Sequence, residues 1–229
     1  MLEELEKNLN LNFKDKNILK SAFIHRSYLN EHQDEILPHN ERLEFLGDSV
    51  LGFVVSEYLY KTYPEHPEGD LTNFRSSIVN AKVLAQTAKK LDLGKYLLLS
   101  HGEEATGGRD RQYLLANTFE ALLGAIYLDI GLNAAHDLIH RELLPMLKEI
   151  IDNKSYRDFK SLLQEKLQEK VNITPTYKVI EEIGPDHNRT FKIGVFAQEK
   201  MLTSGTGRSK QQAEQEAAKE ALAKFEEIV

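Results

Sequence analysis

The chain has no cysteine. Disulfides and cysteine-ligated metals are therefore excluded, and any metal must be held through oxygen or nitrogen. The lack of cysteine is compatible with a reducing cytoplasm. Nor does any apolar run approach the roughly 20 residues that a membrane helix needs, so no membrane partner is expected. The N-terminus, MLEELEKNLN, is acidic and helix-like. It lacks the basic start and apolar centre of a signal peptide. A soluble, cytoplasmic protein is expected. An excess of positive charge is missing too: the formal net charge is −7. Residues 1–154 carry 17 Lys and Arg against 24 Asp and Glu, whereas residues 155–229 carry 12 of each. Any binding to nucleic acid must come from local patches.

What is there falls into two patterns. Over residues 1–150, segments such as RLEFLGDSVLGFVVSEYLYKTY and NTFEALLGAIYLDIGLNAAHDLIHRELLPMLKEII carry apolar residues at spacings of three and four. PEHPEGD (64–70) and SHGEEATGGRD (100–110) read as loops between them. This predicts an all-α bundle. Short polar residues then break the pattern, and a linker is placed at 151–154. Within 155–229, Asp158 is positioned to cap a helix through FKSLLQEKLQEK. TYKVIEE and TFKIGVFAQ alternate with period two through Tyr177, Val179, Phe191, Ile193 and Val195, with GPDH as the turn between them. KMLTSG is a weaker third strand, and SKQQAEQEAAKEALAKFEEI closes as a helix. The prediction is a small α+β domain of order α-β-β-β-α.

The run NERLEFLGDS (40–49) sets Glu41, Glu44 and Asp48 within an arc of ~60° on a helix, with Leu43, Leu46, Val50 and Val54 expected opposite as the core face. Amphipathic helices are commonly acidic outside, so this spacing alone fits a solvated face. Gly47 counts against that reading. Glycine costs about 1 kcal/mol inside a helix and is tolerated where something approaches closely. Like charges this close also repel, and a hard divalent cation such as Mg²⁺ is the natural compensation. A second acid, Glu120, follows Asn117 by three residues. The pair reads either as a capping box, with Asn117 as N-cap, or as side chains lying beside the first acids.

These residues carry a resemblance. NERLEFLGDSVLG is similar to the signature of the bacterial ribonuclease III family. HRSYLN, EGDLTNFRSSIVN, LGKYLLLSHGEEATGGR and ANTFEALLGAIYLDIGL fall around it in that family's order. FKSLLQEKLQEK, GPDH and GRSKQQAEQEAAKEAL resemble a double-stranded RNA-binding domain. The resemblance implies an endonuclease domain over 1–150 and an RNA-binding domain over 155–229. It further implies a homodimeric, Mg²⁺-dependent enzyme, with Mn²⁺ as a substitute and no organic cofactor. Such an enzyme cuts both strands of duplex RNA in processing ribosomal and other structured RNAs, leaving a 5′ phosphate and a short 3′ overhang. Carried over by position, Glu44, Asp48, Asn117 and Glu120 are the catalytic and metal-binding set. Glu41 and Glu68 are supporting acids near it, and Phe45 is a knob at the dimer interface.

Ser161, Gln164, Glu165 and Gln168 share one face of a helix at i, i+3, i+4 and i+7. The resemblance assigns Ser161, Gln164 and Glu165 to a first minor groove. Pro185 and His187 in the GPDH loop are assigned to the next one. Arg208 and Lys210 are placed to meet phosphates, which position without reading sequence. One position departs from the pattern. The family has Asp where this chain has Asn117, and Tyr113 stands where it often has Ser. A neutral group in a cation site weakens metal binding, which leaves a catalytically weak or silent duplex-RNA-binding protein as the alternative.

Overall fold

The computed structural model describes residues 2–152, 158–185 and 189–228. The chain divides into two compact units, Met1–Tyr156 and Arg157–Val229. The first is helical. In chain order its helices are α1 (Leu2–Leu9), α2 (Lys16–Ser21), α3 (Arg26–Glu31), α4 (Glu41–Thr62), α5 (Glu68–Ile78) and α6 (Ala81–Lys90). Then come α7 (His101–Ala105), α8 (Gln112–Asp129), α9 (Leu132–Glu142) and α10 (Leu144–Asp152). Helix α10 therefore runs two residues into the segment expected as a linker.

Helix α8 lies at the centre. From Leu114 to Ile126 every residue is buried except Asn117 and Glu120. Its one buried hydroxyl, on Thr118, is satisfied by donating to Leu114 O at 2.6 Å. Helices α4 and α6 pack on α8, with Leu51, Val54, Val55, Leu84 and Ala88 filling the shared core. The start of α4 is pinned by buried Asn40. Its backbone N–H donates to Ile24 O at 2.9 Å and its amide to Ala22 O at 3.4 Å.

The second unit has the predicted order. Helix α11 (Phe159–Val171) is followed by β1 (Pro175–Ile183), β2 (Thr190–Ala197), β3 (Lys200–Gly207), α12 (Lys210–Ala223) and the short α13 (Phe225–Ile228). The sheet is antiparallel in the order β1-β2-β3. Asp158 caps α11 as expected, accepting from Lys160 N and Ser161 N. Leu163, Leu167, Val195, Ala217, Ala218, Ala221 and Phe225 form a small core between the helices and the sheet. The alternation in β1 does not hold throughout. Val179 is 43% exposed, and beyond it a bulge between Val179 and Glu181 shifts the register against β2.

Candidate active site and nucleic-acid interface

The expected separation of acid and core faces on α4 is corrected by the structure. Gly47, Leu51 and Val55 are buried, and they lie at ~240°, ~280° and ~320° when Glu41 is zero. Glu44, at ~300°, thus lies within this arc and Asp48, at ~340°, at its edge, rather than opposite it, while Val50 and Val54 are buried as expected. Leu43 and Leu46 are only half-buried. The cause is the crossing with α8. A Cβ added to Gly47 would lie 1.7 Å from Glu120 O, and one added to Gly124 would lie 2.2 Å from Leu43 O. The two helix backbones touch, which no side chain larger than hydrogen permits at either position.

This contact brings the four predicted residues together. Helix α8 begins at Gln112, so Asn117 is inside the helix and the capping-box reading is excluded. Burial pushes the Glu44 carboxyl up, reinforced by the charges of Glu41 and Asp48 and opposed by the neighbouring Asn117 side chain, which favours the charged form. Burial likewise pushes Glu120 up to about 7, with Asp48 and Glu44 adding to the effect. Among the described residues no Lys or Arg enters the balance at Glu44 or Glu120. The site is a group of acids without a cationic side chain to offset it. Among the described residues, no three His, Cys, Asp or Glu side chains form a preformed metal cage. Three carboxylates and an amide suit a hard cation that keeps several of its waters.

The supporting acids divide. Glu41 faces Arg26 at 3.6 Å, so it already has a counter-charge, with His39 Nδ1 at 3.8 Å, and it raises the cost of ionising Glu44. Glu68 is not brought to the set within this chain. It accepts from Thr72 Oγ1 at 2.8 Å and lines a shallow pocket with Phe53, Ser56, Tyr60 and Arg75. That places it beside the second half of α4, on the order of 12–18 Å along the axis from Asp48. Phe45 is 78% exposed at the lip of a groove of ≈ 890 Å³ with Leu37, Pro38, Leu46 and Leu128.

In the second unit, Ser161, Gln164, Glu165 and Gln168 are exposed on α11 while Leu163 and Leu167 are buried. Ser161 Oγ donates to Asp158 Oδ2 at 2.8 Å, and Gln168 bonds Asn172. Pro185 is exposed, whereas His187 lies outside the described residues. Arg208 is exposed. Lys210 sits 3.8 Å from Glu182 and over the Phe191 ring. Sequence reasoning missed Gly124, Arg26 and His39. An interior glycine in the apolar run ALLGAIY is the one signal that pointed to Gly124.

Residues 15–147 match the family described as Ribonuclease-III-like, and residues 159–225 match the double-stranded RNA binding motif. This pairing defines a class: endoribonucleases with an appended duplex-RNA-binding domain. Ribonuclease 3 of Caldanaerobacter subterraneus subsp. tengcongensis is 48% identical over 229 residues, covering 98% of each chain. Ribonuclease 3 of Nitratiruptor sp. is 46% identical, covering 96% of this chain and 95% of that one. The nuclease domain of ribonuclease III from Campylobacter jejuni superposes with a TM-score of 0.57 at 41% identity, covering 62% of this chain and 94% of the other. The chain belongs to the ribonuclease III family. Among the described residues, no helix is long and apolar enough to cross a membrane.

Proposed function

We propose that this endoribonuclease is Mg²⁺-dependent, acts as a homodimer in the cytoplasm, and leaves 5′ phosphates with short 3′ overhangs in processing ribosomal and other structured RNAs. The observation that carries the metal reading is the uncompensated acid group at the α4–α8 crossing. Glu44, Asp48, Glu120 and the Asn117 side chain are its ligands. Magnesium held there supplies an activated water and stabilises the leaving oxygen. Glu41, offset in part by Arg26, supports the set from outside it. Manganese, with similar oxygen chemistry, is a substitute.

A homodimer is supported by α4. Phe45, Phe53 and Tyr60 are 78%, 56% and 76% exposed. They share an arc of ~80° over roughly 22 Å of helix. Exposed apolar surface on this scale marks an interface, and the groove beside Phe45 offers a self-complementary seat. The Campylobacter jejuni structure is described as showing flexibility in a region involved in dimer formation. In the second unit, Ser161, Gln164, Glu165, Gln168, Pro185, His187, Arg208 and Lys210 are the proposed RNA contacts.

Asn117 favours one variation on this reading: an active enzyme with lowered Mg²⁺ affinity. Cleavage of a long duplex RNA titrated with Mg²⁺ tests both. Asn117→Asp is expected to move the Mg²⁺ midpoint down several-fold, and an unchanged midpoint would falsify the role given to Asn117. No cleavage in Mg²⁺ or Mn²⁺, with duplex binding intact, would establish the silent RNA-binding alternative.

A further inference from the structure

Between Tyr113 and Ile126, helix α8 shows solvent only three residues: Tyr113, Asn117 and Glu120. They stand at i, i+4 and i+7, so they form one line along the helix. Two of them belong to the acid site. Tyr113 is the third, one turn before Asn117 and ~6 Å from it along the axis.

Tyr113 is a large aromatic, 49% exposed, with its hydroxyl held in place. Arg111 Nη1 donates to Tyr113 Oη at 3.3 Å, and the guanidinium carbon lies 5.8 Å from the ring centre. The guanidinium is itself anchored. It pairs with Glu103, and Nη2 donates to Thr106 O at 3.1 Å and to Thr106 Oγ1 at 2.8 Å. A phenol that accepts from a guanidinium keeps its own O–H to donate. Among the described residues, no acceptor takes that proton at hydrogen-bonding distance. Donation from a cation also polarises the phenol and strengthens it as a donor.

We propose that Tyr113, braced by Arg111, is a substrate-contact residue. Its O–H donates to a backbone phosphate oxygen of the RNA strand next to the scissile phosphate. This rests on the endonuclease reading of the acid site, since that reading puts the scissile phosphate at Asn117 and Glu120. The chemistry follows from the line itself. The acid site repels an RNA strand except where a cation is bound, so the strand needs neutral or cationic donors on either side. Tyr113 with Arg111 supplies one at a spacing of one helical turn. The contact positions the strand and does not enter the bond-breaking step.

Two experiments test it in the full-length protein. The chain contains no tryptophan, so Tyr113→Trp creates a single tryptophan at this position, excited selectively at the red edge where tyrosine does not absorb. On mixing with a 30-base-pair RNA duplex and Mg²⁺, its emission is expected to change, and its quenching by acrylamide to fall about twofold, before product forms. This readout does not require turnover, so it stands apart from any failure of cleavage. Unchanged emission and quenching with the RNA fully bound would overturn the proposal. In steady-state cleavage, Tyr113→Phe and Tyr113→Ala are both expected to raise KM about tenfold, as for loss of one hydrogen bond to a charged group, with kcat within about twofold of the parent. A wild-type KM in Tyr113→Phe, or a fall in kcat at unchanged KM, would overturn it as well.

Discussion

In the helical unit, a Cβ on Gly47 would meet Glu120 O at 1.7 Å; in the α+β unit, one on Gly205 would meet Ala217 N at 2.2 Å. Both folds use the same device, a glycine that lets two backbones touch. What stands beside the contact differs. Glu44 and Asp48 flank Gly47 on one helix, and Asn117 and Glu120 answer from the other, so this crossing sets the distances of the candidate chemistry. Gly205 seats α12 on β3, while the proposed groove readers lie on the exposed face of α11. Chemistry on a phosphodiester needs groups from distant parts of the chain held together. Reading the shape of a duplex needs one helix face and a few cations.

The largest effects follow from breaking each contact. Gly47→Ala cannot be relieved by side-chain movement, because the obstacle is backbone. It is expected to cost more than about 4 kcal/mol, exceptional for a single substitution and a large part of a typical 5–15 kcal/mol stability. Thermal melting should collapse and cleavage should disappear, while duplex binding through the second unit remains. Gly205→Ala should do the reverse to binding: the smaller unit loses the packing of Ala213 and Ala217, and filter binding of duplex RNA is lost. If Gly47→Ala melts within a few degrees of the parent, the backbone contact is not as close as described. A smaller effect is expected from Lys210→Glu. It should weaken binding roughly tenfold for all duplexes alike and reduce the salt slope by about one. Weakening confined to some sequences would show that Lys210 reads bases.

Much of this was legible in the residues. The period of three and four gave the helical unit, and the switch to period two gave β1 and β2, because both are local consequences of one buried face. Gly47 was legible as a place of close approach, since a glycine inside a helix needs a reason. What approaches it was not legible, for Glu120 lies 73 residues on and the contact is backbone to backbone. The same gap explains the misplacement of the acid face. A helical wheel drawn for one helix treats everything opposite the leucines as solvent, but α8 covers the glycine side. Glu68, which the resemblance puts near the set, lies within this chain along the far half of α4, a distance for which helical periodicity carries no signal. The β1 bulge was invisible because Val179 and Ile180 suit a regular strand equally well.

The smallest effect concerns the charge that the helical unit stores and the α+β unit does not. Glu120 has an ordinary carboxylate pKa when unfolded and about 7 when folded. Below about pH 4.5 it is protonated in both states and contributes no difference. Between there and about 7 the folded state holds the extra proton, so stability of the metal-free protein falls as pH rises through this window. Above it, the ionised carboxylate stays buried beside Asp48 and Glu44 at full cost. Glu120→Gln imitates the protonated form. In EDTA at pH 8 it is expected to stabilise the fold by roughly 1–2 kcal/mol after allowance for partial solvation, raising Tm by roughly 3–6 °C. At pH 4 the difference should vanish. Added Mg²⁺ should reverse the order, since the parent gains stability by binding it and the variant loses a ligand. A variant that melts at or below the parent at pH 8 in EDTA would mean that Glu120 carries no uncompensated charge, and the argument for a cation at this crossing would go with it.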